Sequence, residues 1–170
     1  MTEWKIIVDE SEVEYEGLFS LTDLYKLIDK YAKEKGYDKE EKENTEQVTA
    51  NGKDIHLILQ PNRKVSDYFE NIMKIEISAR RIKDVETEMD KKKIRLNEGY
   101  INIKFSAILK SDYEGRWKDK PMYYFIRTLF DKYIYRSEKN EFEARLTDDL
   151  MHLKDQVGAF LNLHRHRKTS

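Results

Sequence analysis

The 170-residue chain contains no cysteine, which excludes disulfides, thiolate metal sites and cysteine nucleophiles together. It has only two prolines and six glycines, and they gather into no linker. Nothing therefore marks a domain boundary, and a chain of this length is expected to build one core. No stretch approaches the roughly 20 apolar residues that span a bilayer. The start, Met-Thr-Glu-Trp-Lys, lacks the basic segment and apolar run of a leader, so a cytoplasmic location is expected. Charge of one sign is missing too. The 32 Lys+Arg nearly cancel 33 Asp+Glu, leaving a net charge of -1, so no global field draws in nucleic acid or an anionic membrane.

What the chain does have is a dense ionic surface and enough aromatic residues to fold. Disorder requires few aromatics and a large net charge, whereas 12% of this chain is Phe, Trp or Tyr. Trp4, Ile6 and Val8 alternate with Lys5, Ile7 and Asp9, the period of a strand with one buried face, and Val13 and Tyr15 continue it after a break. Ser20 precedes Leu21 with Asp23 three residues on, a capping-box-like start, and Leu24, Leu27, Ile28 and Tyr31 recur at helical spacing until Gly36.

The segment from Tyr37 to Ala50 reads as a loop or a solvated edge strand, because Asp38 through Glu46 contains no aliphatic residue. Asn51-Gly52 is a strong hairpin signal, and Ile55, Leu57 and Leu59 alternate after it toward Pro61. Two long half-buried strands follow. One carries Met73, Ile75, Ile77 and Ala79 on a single face, the other Ile101, Ile103, Phe105, Ala107 and Leu109. Val85 to Leu96 is expected to pair between them as one or two strands, with Asn97-Glu98-Gly99 as a turn and Lys91-Lys92-Lys93 as a solvated turn or edge.

After Leu109 the period lengthens. Pro121 suits a first helical position, and Phe125, Ile126, Leu129, Phe130, Tyr133 and Ile134 form a broad stripe. A last helix from about Glu141 carries Phe142, Leu146, Leu150, Leu153, Val157, Phe160 and Leu161. The expectation is an α+β fold: a curved antiparallel sheet of about five to seven strands, one N-terminal helix and two C-terminal amphipathic helices packed on it. Residues 1–163 are expected to form the domain, with the basic run 164–170 expected as a disordered tail.

In this order of elements the chain resembles the helix-grip, START-like proteins, in which a curved sheet grips a long C-terminal helix. The resemblance covers most of the chain and rests on element order, so it transfers no site residues. It implies an apolar cavity between sheet and C-terminal helix that takes a small hydrophobic ligand. The chain departs from that family in having a single helix at Leu21 to Lys35 and two helices after the sheet.

The four histidines are His56, His152, His164 and His166. The last two lie in the basic tail, and two imidazoles there cannot fill three or four ligand positions. His152 follows Asp148 and Asp149 by about a turn, which reads as a helix-surface salt link. His56 lies opposite Ile55 and Leu57 and is expected to face solvent. The turn Ser111 to Asp119 packs acidic, basic and aromatic groups between a long strand and a helix. Asp112 and Glu114 offer an acid and a base there, while Arg116 and Trp117 suit a partner's carboxylate and apolar body.

Tyr123, Tyr124, Tyr133 and Tyr135 spread around more of a helix than one buried face hides, as at protein interfaces. No metal spacing, nucleophile elbow, phosphate-binding glycine loop or paired-carboxylate signature appears. No cofactor is expected, and an enzyme using Asp112, Glu114 or His152 is the weakest reading. The leading expectation is a non-catalytic assembly protein that meets itself or another protein through its C-terminal helices and the Arg116-Trp117 turn. The alternative is a carrier of a small hydrophobic ligand.

Overall fold

Alternation through the middle of the chain builds the sheet. In the computed structural model, which describes residues 2–111 and 135–163, β5 (Phe69–Met89) buries Met73, Ile75, Ile77 and Ala79. β6 (Lys92–Ser111) buries Ile101, Ile103, Phe105, Ala107 and Leu109. The two strands pair antiparallel with Ile75 opposite Phe105 and Ile77 opposite Ile103, so their apolar columns stand side by side. β1 (Glu3–Phe19), β2 (Glu41–Thr49), β3 (Gly52–Leu59) and β4 (Asn62–Lys64) complete an antiparallel six-stranded sheet. Its order is β1-β6-β5-β3-β2, with β4 beside β5.

Helix α1 (Leu21–Glu34) forms where the sequence signals it. The Ser20 side chain accepts from the Asp23 backbone N–H at 3.2 Å, and Leu24, Ile28, Tyr31 and Ala32 are buried. Its end is closed by Gly36, at φ 78, where a left-handed residue is required. Gly36 N–H donates to the Lys33 carbonyl and Tyr37 N–H to the Ala32 carbonyl, the paired bonds of a Schellman stop.

Helix α2 (Tyr135–Asn162) sends Leu146, Leu150, Leu153, Val157 and Leu161 into the cluster that holds the inward columns of the sheet and the buried face of α1. Those five side chains stabilise the packed layer by on the order of 10 kcal/mol before ordering costs. The molecule is thus an α+β fold with an N-terminal and a C-terminal helix on an antiparallel sheet. The helix expected after Pro121 and the basic tail lie outside the described residues.

Three local expectations are corrected. Trp4 and Ile6 do not face the core; each is 59% exposed. Ile6 opposes Ile108 while Val8 opposes Ala107, which leaves Ile7 as an extra residue in β1. A one-residue slip reverses the faces of a strand. Ile7 and Val8 pack inward instead, and the Lys110 ammonium sits 4.9 Å from the centre of the Trp4 ring.

Asn97-Glu98-Gly99 is not a turn, since it lies within β6. The reversal comes at Asp90 and Lys91, with φ of 51 and 64, so Val85 to Leu96 is the far end of one long hairpin. Lys91, Lys92 and Lys93 are exposed there, as a solvated turn requires.

Gly99 answers to the neighbouring strand. Between the Arg80–Tyr100 and Lys83–Glu98 pairs, β5 bulges at Arg81 and Ile82, and a Cβ on Gly99 would stand 2.9 Å from the Arg80 carbonyl oxygen and 2.6 Å from Ile82 Cδ1. On the other flank, Gly52 has φ 129, and its Cβ would stand 2.8 Å from the Ile82 carbonyl oxygen. Gly52 opens β3 opposite Thr49. The hairpin expected at Asn51-Gly52 therefore forms with Ala50 and Asn51 as its loop.

Candidate functional site

β2 contains no core residue; every position of it is exposed. It hangs on β3 alone at the sheet edge and is the solvated edge strand the sequence allowed. Between β2 and α1 the inner face of the sheet is left partly uncovered, forming a cleft of about 540 Å³. Its floor is Ile55, Leu57 and Ile77. Leu21, Thr22, Tyr25 and Lys26 of α1 form one wall, and Glu41, Asn44 and Glu46 of β2 form the other. This size suits a small organic molecule.

The polar groups of the cleft are held in place. The Tyr25 hydroxyl donates to Glu41 Oε2 at 3.3 Å, and Asn44 Nδ2 donates to Glu41 Oε1 at 3.1 Å. Lys39 stands 4.2 Å from the centre of the Tyr25 ring and bridges to Asp29 at 3.6 Å. Neighbouring Lys33, 2.8 Å from Asp29, and then Lys39 hold that carboxyl below its usual range against the opposing effect of desolvation. Glu46 pairs with Lys53 at 3.2 Å. An apolar floor with carboxylate, amide, phenol and ammonium groups at the mouth suits a molecule with an oily body and a polar end.

The cleft lies against α1 and not beneath the C-terminal helix, whose apolar stripe is seated on the sheet with Leu146, Leu150, Leu153 and Val157 wholly buried. A buried polar knot ties the two helices together. The Tyr31 hydroxyl donates to the Asp149 backbone carbonyl at 2.6 Å, the Tyr37 hydroxyl donates to Asp149 Oδ2 at 3.1 Å, and Lys35 Nζ is 3.9 Å from Oδ1. Burial first, and then the Asp149 charge, push the Tyr31 hydroxyl up to about 12 and the Tyr37 hydroxyl higher still. Nearby on β5, the side-chain amide of Asn71 is buried.

The sequence-nominated residues fare unevenly. Asp112, Glu114, Arg116, Trp117, Tyr123, Tyr124 and Tyr133 lie outside the described residues, and of Tyr135 only its place at the start of α2 is described. His152 is exposed while Asp149 turns to the tyrosines of α1 and its exit, which corrects the expected salt link between those two. His56 is half-exposed on the outer face of β3. The cleft residues were not nominated. The one signal for them was the oily alternation of Ile55 and Leu57 beside a segment with no aliphatic residue to cover it.

Among the described residues no cluster of three histidine or carboxylate groups could hold a metal ion, and no helix is long and apolar enough to cross a membrane. Compared with protein-family models, curated proteins and solved structures, the chain matches none of them.

Proposed function

We propose that the protein binds a small amphipathic molecule in the cleft between α1 and β2–β3, without catalysing its conversion. The observation that carries this is the cleft's apolar lining, with Ile55 half-buried at its floor beside the buried Leu57 and Ile77 and with Leu21 and Tyr25 on the wall. An apolar ligand removes what these side chains still expose from water at roughly 25 cal/mol per Å².

A bulky residue in the α1 wall tests it. Thr22 is exposed in the first turn of α1, so Thr22→Trp occupies the cleft while leaving the core intact. Titration with the fluorescent probe 1-anilinonaphthalene-8-sulfonate is expected to give saturable binding to the native chain and at least about tenfold weaker binding to the variant, at an unchanged melting temperature. A tenfold change corresponds to about 1.4 kcal/mol, the scale of one side chain's contacts. Equal binding to both proteins, or none to the native one, removes the proposal.

A second reading, association with another copy or another protein, is favoured by Trp4 and Ile6. These are large apolar side chains exposed on an edge strand, where unpaired backbone groups accept a further strand. It differs from association through the C-terminal helices in that the stripe of α2 is already covered. Sedimentation should then detect a discrete oligomer that Trp4→Lys with Ile6→Lys converts to monomer. A native protein that sediments at 20.5 kDa at every concentration ends this reading.

A further inference from the structure

We infer that His56 is a pH-operated clamp on the edge-strand wall of the cleft, protonated His56 tying β2 to the sheet. β2 is held by β3 alone, and its two faces do different work. Glu41, Asn44 and Glu46 line the cleft, while Glu43 lies on the outer face. The register sets Glu43 opposite Ile58 and Ile58 opposite Glu76. His56, two residues before Ile58 on the same face, is diagonal to both carboxylates. Its Nε2 is 4.0 Å from Glu43 Oε1 and 3.7 Å from Glu76 Oε1. The ring is oriented by its Nδ1, 3.2 Å from Ser78 Oγ.

One imidazole thus spans three strands, and it faces carboxylates on both sides. The cations near it are placed otherwise. Lys74 on β5 stands 4.0 Å from Glu76, and Lys104 on β6 is drawn to Glu10 and Glu12 of β1. On the side toward Gly52, Asp54 accepts from the Arg81 backbone N–H, and Arg80 lines the outer groove with His56. Glu43 on β2 makes no other ion pair among the described residues, so among them the charge that couples this outer point of β2 to the sheet is the one His56 acquires on protonation. Imidazole changes charge between pH 5 and 8. Below that window the Glu43–His56–Glu76 bridge holds β2 in place. Above it, two carboxylates flank a neutral ring and β2 is left to its pairing with β3, so that it opens more often. The consequence for ligand retention rests on the cleft reading; the clamp on β2 does not.

The test uses the intact protein without any ligand. Hydrogen exchange of the β2 amides from Asn44 to Val48 is measured at about pH 5.5 and about pH 8, corrected for intrinsic exchange and referenced to the β5–β6 ladder. Protection is expected to be about threefold to fivefold greater at the lower pH, the scale of exposed ion pairs. His56→Gln and Glu43→Gln should each abolish the difference while keeping the melting temperature at pH 8. A pH-independent β2, or a rise that survives His56→Gln, overturns the clamp. Probe titration at the two pH values then reads the cleft separately: tighter probe binding at low pH in the native chain alone extends the clamp to the ligand site. A clamp seen by exchange with no probe binding refutes the cleft reading and leaves the clamp standing.

Discussion

Alanine in place of Leu150 is expected to lower the free energy of unfolding by about 3–4 kcal/mol, measured by denaturant titration. Leu150 is wholly buried in the middle of α2 and belongs to the cluster that joins that helix to α1 and the inward columns of the sheet. Truncation removes the transfer free energy of three heavy atoms and leaves a cavity that close-packed neighbours cannot fill, and such changes cost about 2–5 kcal/mol. The upper half of that range applies because rigid strands lie on one side and a helix pinned by Tyr31 and Tyr37 on the other. Single domains are held by about 5–15 kcal/mol, so the variant should lose a large part of its stability while unfolding in one cooperative step. A loss under about 1 kcal/mol would mean that α2 is a dispensable cover and not a structural layer.

The same packing explains what could be read from the sequence. β5 and β6 were legible because each is buried on one face and solvated on the other, so Met73 to Ala79 and Ile101 to Leu109 record the pleat directly. α1 was legible for a local reason: Ser20, Asp23 and Gly36 satisfy its own backbone ends. The misreadings share a different cause. Gly99 serves a bulge in the strand beside it, and no pattern along β6 encodes a neighbour's backbone. The true turn uses Asp90 and Lys91 at positive φ, where glycine or asparagine is the usual signal, so the run Lys91-Lys92-Lys93 marks it only as a solvated turn or edge. Trp4 and Ile6 were placed on the wrong face by an inserted residue that alternation cannot register.

The candidate site was less legible than the fold. A cleft exists where something fails to cover the sheet, and the feature that leaves it open is the polarity of β2. In a sequence, such a segment looks only like a loop. The polar groups of the site are ordinary surface residues taken singly; Tyr25, Glu41 and Asn44 acquire meaning from the hydrogen bonds that bring helix and edge strand together. His56 was rightly expected on the solvent face. Its position between Glu43 and Glu76 depends on the pairing register of three strands, two of which are far apart in the chain.

Stability is expected to fall in alkali, by about 1–2 kcal/mol between pH 10 and pH 12 from Tyr31 alone. Its hydroxyl is pushed up to about 12 in the folded protein by burial and by the Asp149 charge, against about 10 in an unfolded chain. A folded-state value above the unfolded one gives a contribution that is complete below pH 10. It is lost as the pH climbs through the folded value, because unfolding releases the ionised phenol; a two-unit shift integrates to at most about 2.7 kcal/mol, of which about 2 falls between pH 10 and pH 12, and solvent screening lowers it further. Tyr37, shifted in the same direction by burial and the same carboxylate, adds to the loss over the same window. Denaturant titrations from neutral pH to pH 12 should reveal this slope. Tyr37→Phe separates the tyrosines from the lysines that also titrate there. It should cost about 1.5–3 kcal/mol at neutral pH, through the lost hydrogen bond to Asp149. It should also flatten the alkaline slope, so the gap to the native protein narrows as the pH rises. A gap that stays constant to pH 12 would show that the tyrosine knot between α1 and α2 does not set the alkaline limit of the fold.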